Sequence, residues 1–268
     1  MFYYQEYTMN NCILASKSND LLASKTLKNA KQNIEQYGWT LLRGFDMNTE
    51  RFSQLLHQFC QTLTFDPARQ SIDGTSQKVD AGTHSVGLHI ENGNTPFPPK
   101  MVAFYSAKSA MAGSQTTICD GLELFNIMPE KLQQQWQQPI TVKRQLPSHL
   151  WRQYVVDQHP QVTKPEEVTM QHLEDLIAIN NQQRGIVNED DCLDYELDIS
   201  PCLPVTQQNT NKLAFANALL GPSFNYQKPS YTFNNGEQVS DDLLQETAKY
   251  AEQCTHEVQW QNGDVVLI

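Results

Sequence analysis

The chain lacks a long apolar run, paired cysteines and any excess of basic residues, and each lack removes a class of function. No stretch approaches the roughly 18–20 apolar residues that a membrane-crossing helix needs, so no membrane partner is expected. Nineteen Lys and Arg stand against 30 Asp and Glu, a formal charge of −11. A surface that reads phosphates needs clustered cations, so nucleic acid is not an expected partner either. The cysteines at positions 12, 60, 119, 192, 202 and 254 include no Cys-x-x-Cys pair, which argues against a zinc site and against a disulfide framework. Met1 to Glu6 shows neither a basic n-region nor an apolar stretch, so no secretory signal is expected. With reduced thiols, the chain reads as cytoplasmic. Glycine-rich dinucleotide and phosphate loops and the Gly-x-Ser-x-Gly elbow are absent too.

What is present is enough for a packed core: 268 residues, 39% hydrophobic and 9% aromatic. Leu27, Ala30 and Ile34 recur at helical spacing and predict a helix over about 24–36. Trp39 to Phe45 reads as a buried strand, and Asp46 to Thr49 offer N-cap chemistry for a helix over about 50–62. From about Val79 the chain changes to short strands: Ser85–Glu91, Met101–Ser106, Gly113–Asp120 and Ile140–Leu146. A helical piece near 129–138 carries a Gln-rich face. The segment 156–199 is polar and acidic, is expected to be helical over 166–183, and shows no strong strand. Strand character resumes at 212–219, and a last helix spans about 241–253. Helices followed by many short strands predict a mainly β fold with flanking helices, as a sandwich or barrel. No repeat or linker divides the chain. The expectation is therefore one domain over 1–268, with a partly helical insertion at about 150–210.

The densest chemistry lies in Leu88-His89-Ile90-Glu91-Asn92. On a strand, residues two apart share a face, so His89 and Glu91 would aim an imidazole and a carboxylate at one point. That is two thirds of a 2-His-1-carboxylate site, which suits non-haem Fe(II) and leaves positions open for substrate and oxygen. Asn92 and Asn217 are further polar candidates, with a turn or strand role as the plainer reading. The other histidines (57, 84, 149, 159, 172 and 256) read as surface or structural.

Four motifs in order carry a resemblance: Trp39-Thr40-Leu41-Leu42-Arg43-Gly44-Phe45; His89-Ile90-Glu91 before a Pro-containing loop and the apolar strand from Met101; Gly113-Ser114-Gln115-Thr116; and Trp260-Gln261-Asn262-Gly263-Asp264 leading into Val265-Val266-Leu267-Ile268. The chain resembles the TauD/TfdA family of Fe(II)- and 2-oxoglutarate-dependent dioxygenases, in its His-x-Glu form, over about residues 24–145 and 212–268. The resemblance implies a double-stranded β-helix (jelly-roll, cupin-like) core. It implies His89 and Glu91 as iron ligands and Thr116 as a donor to 2-oxoglutarate, with Thr117 as the rival one residue on. Ser114 departs from the family pattern, in which a second Gly stands there. The third iron ligand and a 2-oxoglutarate-binding Arg would follow Ile268, so a C-terminal part is expected to be missing from the sequence. The implied reaction oxidises a small molecule, an amino acid or amino-acid-derived metabolite, free or carrier-tethered, and releases succinate and CO2. The alternative is a catalytically inactive jelly-roll protein that binds a small molecule.

Overall fold

A computed structural model describes residues 11–16, 20–65, 69, 71–72, 74–79, 84–205, 212–221 and 228–268. In chain order they form β1 (Cys12–Leu14), α1 (Ser24–Tyr37), β2 (Thr40–Arg43), α2 (Thr49–Phe59), β3 (Ala103–Tyr105) and β4 (Thr116–Cys119). There follow α3 (Gly121–Ile127), α4 (Glu130–Trp136), β5 (Ile140–Leu146), α5 (Ser148–Gln158), α6 (Met170–Ala178), β6 (Gln183–Val187) and β7 (Leu193–Ile199). The chain continues through β8 (Cys202–Pro204), β9 (Leu213–Phe215), β10 (Ser230–Phe233), α7 (Asp241–Ala251), β11 (Thr255–Val258) and β12 (Val265–Leu267). Helices and sheets are thus more evenly mixed than the mainly β expectation. None of these helices is long and apolar enough to cross a membrane, and all six cysteines are free thiols.

The chain divides into two compact units. The first comprises Met1–Thr64, Pro99–Asp120 and Thr255–Ile268. Its four-stranded sheet runs β1-β2-β12-β3, with β1 parallel to β2 and the other pairs antiparallel. Strand alternation sorts the side chains. Leu42, Val265 and Leu267 pack against Ala30, Phe52, Leu55 and Leu56 from α1 and α2. Leu41 and Val266 face Trp39, Ile118 and Val258 on the other side, toward the β4–β11 pair. Because both faces are covered, β12 reads as a continuous apolar run. The predicted helix start near residue 50 is capped by Asn48, whose side chain accepts from the Arg51 N–H at 2.8 Å.

The second unit comprises Phe65–Pro98 and Gly121–Cys254. Its main sheet is antiparallel throughout, in the order β10-β5-β7-β6. Leu146, Leu193, Tyr195 and Leu197 pack on Trp151, Tyr154, Val155, Leu173 and Leu176 from α5 and α6. Trp136 of the Gln-rich α4 is fully buried, and its indole N–H donates to Thr247 at 2.8 Å.

Two expectations need correction here. Residues 156–199 were expected to lack a strong strand, yet they hold β6 and β7, and β7 pairs with β5 over its whole length. Leu193, Tyr195 and Leu197 alternate with Asp194, Glu196 and Asp198, so a half-buried strand was hidden under its acidic outer face. Lys143 and Arg184 on the flanking strands balance that charge, at 2.6 Å from Glu196 and 2.7 Å from Asp198. The helix expected over 166–183 is shorter, Met170–Ala178, because the chain turns at 179–182 into β6.

Candidate functional site

Residues 85–91 do not form the expected strand. They run as irregular backbone into a turn at 91–94, and contacts with residues 216–221 set that path. Gly87 lies against the backbone of Leu220 and Gly221 so closely that a Cβ on either glycine would overlap the other segment. The Ile90 N–H donates to the Asn217 carbonyl at 3.0 Å. Asn217 is itself buried and fixed: its amide donates to the Pro201 carbonyl, and its side-chain oxygen accepts from the Leu219 N–H, both at 2.9 Å. Asn92 takes a left-handed φ of 53° in the turn, and its carbonyl accepts from the Thr95 N–H at 2.9 Å. Both asparagines therefore shape backbone, the plainer of their two readings.

This backbone brings His89 and Glu91 together without a strand. His89 Nε2 stands 3.8 Å from Glu91 Oε1, with side chains 28% and 26% exposed. That distance is too long for a hydrogen bond. It is short enough for one cation bonded to both at about 2.0–2.2 Å. His89 Nδ1 lies 2.8 Å from the Gly87 carbonyl. A carbonyl only accepts, so in the neutral ring Nδ1 carries the proton and Nε2 presents its lone pair beside the carboxylate. A second-nitrogen anchor of this kind is what orients a metal-ligating histidine. The donor set of one imidazole nitrogen and one carboxylate oxygen fits a divalent iron. Among the described residues no group of three His, Cys, Asp or Glu side chains forms a metal cluster.

Three of the remaining histidines make structural contacts. His159 is buried with its ring 5.0 Å from that of His172, and His172 closes the N-terminal capping box of α6 with Thr169. His256 lies on β11 with its ring 6.4 Å from Trp39.

In the first unit, Thr116 opens β4. Its hydroxyl oxygen accepts the Trp260 indole N–H at 2.9 Å, joining two of the sequence motifs. Thr117 is exposed and Ile118 buried, as alternation requires. The turn before β4 takes left-handed backbone at both Gly113 (φ 75°) and Ser114 (φ 59°). Ser114 thus adopts a conformation that glycine enters without steric cost.

Arg43 and Asp264 join the first of these motifs to the last. Arg43 Nε and Nη2 meet the Asp264 carboxylate at 3.0 and 2.7 Å, and Nη2 also donates to the Gln259 carbonyl at 2.6 Å. The Gln261 N–H donates to the same fully buried carboxylate at 2.7 Å. Hydrogen bonding to Asp264 raises the Arg43 pKa further, so the guanidinium stays charged. Sequence spacing gives no sign that these two residues meet.

A family model described as taurine catabolism dioxygenase TauD, TfdA family, matches residues 15–268. Solved structures share the fold. AAD-2, in complex with Mn(II) and N-oxalylglycine, is 12% identical with a TM-score of 0.55, over 96% of this chain and 85% of that one. PvcB from Pseudomonas aeruginosa is 10% identical with a TM-score of 0.55, over 96% of this chain and 75% of that one. A second PvcB structure, described as an Fe, alpha-ketoglutarate dependent oxygenase from an isonitrile synthetic pathway, is 11% identical with a TM-score of 0.51, over 90% of this chain and 70% of that one. No curated protein matches the chain by sequence.

Proposed function

The chain belongs to the TauD/TfdA family of Fe(II)- and 2-oxoglutarate-dependent dioxygenases, and from that premise we propose that His89 and Glu91 hold the iron of an oxygenase acting on an amino acid or amino-acid-derived metabolite. The reaction is R–H + 2-oxoglutarate + O2 → R–OH + succinate + CO2. One oxygen atom goes to the substrate and one to succinate. The observation that carries the residue assignment is the pairing of Glu91 with a His89 ring whose Nδ1 is tied to the Gly87 carbonyl.

Iron bound together with 2-oxoglutarate supplies the oxygen chemistry that side chains cannot. The protein's share is orientation and binding. Gly87 and Gly221 approach closely enough to fix the carbonyl that sets the His89 tautomer. Glu91 supplies the negative charge of the site. The Thr116 hydroxyl, whose oxygen accepts from Trp260, would donate a hydrogen bond to a 2-oxoglutarate carboxylate oxygen. The whole chain works as one catalytic domain with a double-stranded β-helix core. The His-x-Glu form of the motif supports the amino-acid class of substrate.

The test is succinate release with Fe(II), 2-oxoglutarate and a panel of amino acids and their derivatives. Release should depend on one of these compounds and disappear in His89→Ala. Succinate formation unchanged by that substitution overturns the assignment. A chain that binds the compound but neither Fe(II) nor 2-oxoglutarate is a binding protein instead.

A further inference from the structure

We propose that Arg144 is a positioning residue for the metal-ligating turn, acting by gripping the turn's backbone; this rests on His89 and Glu91 being the ligands. Arg144 sits in β5, where Ile140, Val142 and Leu146 are buried. The two-residue period places a guanidinium in the same register as those apolar side chains. A charge in that position is costly unless its donors are used.

Two of its contacts explain its presence. Its guanidinium lies over the Tyr195 ring, 5.1 Å from the centroid. Its Nη2 donates to the Asn94 carbonyl at 2.5 Å. Asn94 closes the turn that begins at Glu91, between the Gly93 N–H to Ile90 carbonyl bond and the Thr95 N–H to Asn92 carbonyl bond. Tyr195 is a firm platform. It is buried, its hydroxyl donates to Gln183 at 2.8 Å, and the Gln183 amide donates to the Leu176 carbonyl at 2.8 Å.

The grip therefore runs from α6 and the central strand β7, through one planar cation, to the backbone three residues after Glu91. Residues 217–221 hold the other end of the same segment at Gly87 and Ile90. Between these two holds the His89–Glu91 spacing is set before any ion arrives. Such preorganisation is the part of metal affinity that supporting groups supply. Lysine cannot replace the arrangement, because an ammonium lacks the flat face that stacks while its edge donates.

The experiment measures Mn(II) affinity of the full chain by the electron paramagnetic resonance signal of free Mn(II), alongside thermal unfolding. Arg144→Gln should weaken Mn(II) binding roughly tenfold in the folded protein. Arg144→Lys should recover part of the affinity, not all of it. A purely structural role would lower the unfolding temperature and leave the Mn(II) affinity of folded molecules unchanged, and that result overturns the proposal. If Arg144→Gln does not fold, Arg144→Lys is judged by the same criterion. In the unsubstituted protein, a Zn(II) titration followed by NMR should shift the Arg144 Nε–H resonance at the same midpoint as the His89 ring. A resonance that stays still also overturns it. His89→Ala separates the two readings: if it leaves Mn(II) binding intact, the ligand assignment fails, whatever Arg144 does.

Discussion

Arg43–Asp264 and His89–Glu91 are both polar pairs built by family motifs, and they are made in opposite ways. Arg43 and Asp264 are 221 residues apart in sequence and meet in a bidentate fork around a fully buried carboxylate that also accepts a backbone N–H. His89 and Glu91 are two residues apart, about a quarter exposed, and stand at 3.8 Å with no bond between them. The first pair is chemically closed and joins β2 to the turn before β12. The second is held open by its backbone. Saturated donors and acceptors mark scaffold, whereas rigidly held, unsatisfied ones mark a place for a guest.

That contrast can be broken in four places. The largest effect is expected at Arg43→Met, which strands the buried Asp264 charge. Loss of one partner of a buried pair costs about 3–5 kcal/mol, measurable by urea unfolding. A loss under about 1 kcal/mol would show that the fork is not scaffold. Thr116→Val comes next, because it removes the acceptor of the Trp260 indole. About 1–2 kcal/mol should be lost, together with weaker 2-oxoglutarate binding in equilibrium dialysis.

A smaller effect belongs to the exposed ladder of the second unit. Lys143 holds the Glu196 carboxyl below its usual range, with Arg184 adding to it, and Arg184 does the same for Asp198, with Thr141 adding. The folded state thus binds fewer protons than the unfolded state. The stabilisation is complete at neutral pH and is lost as pH falls through the unfolded and then the lowered folded values. An acid titration of stability should show this loss, and Arg184→Met should flatten it. Solvent screening keeps the change modest. Smallest of all in stability is Glu91→Gln, expected within about 0.5 kcal/mol because the group is partly exposed and bonded to nothing the fold needs. Its metal affinity should nonetheless collapse. A large stability loss at Glu91 would erase the distinction drawn between the two pairs.

Local patterns were the legible part of this molecule. The Leu27-Ala30-Ile34 period became α1, and Ile140–Leu146 became β5 with those bounds. The nearness of His89 and Glu91 was legible too, although the reason given for it, a strand, was not the one the backbone uses. Tight packing of Gly87 on Gly221 bends that segment, and no pattern within 85–91 reports a neighbour 134 positions away. Strand β7 was missed because its acidic alternation resembles a solvated helix face until Lys143 and Arg184 are seen beside it. Arg144 escaped notice for a related reason. An arginine in register with apolar residues says nothing about which carbonyl it will meet.

The place of β12 has a consequence for synthesis. Its three residues, all fully buried, lie between β2 and β3, strands made more than 150 residues earlier. While the ribosome works through the middle of the chain, Leu41, Leu42, Ala103 and Tyr105 have no strand to join them. The sheet formed by residues 140–233 can assemble in that interval, because all its strands have already emerged. Until β12 emerges, the β1–β2 pair and the single strand β3 of the first unit offer unpaired edges to any neighbouring chain.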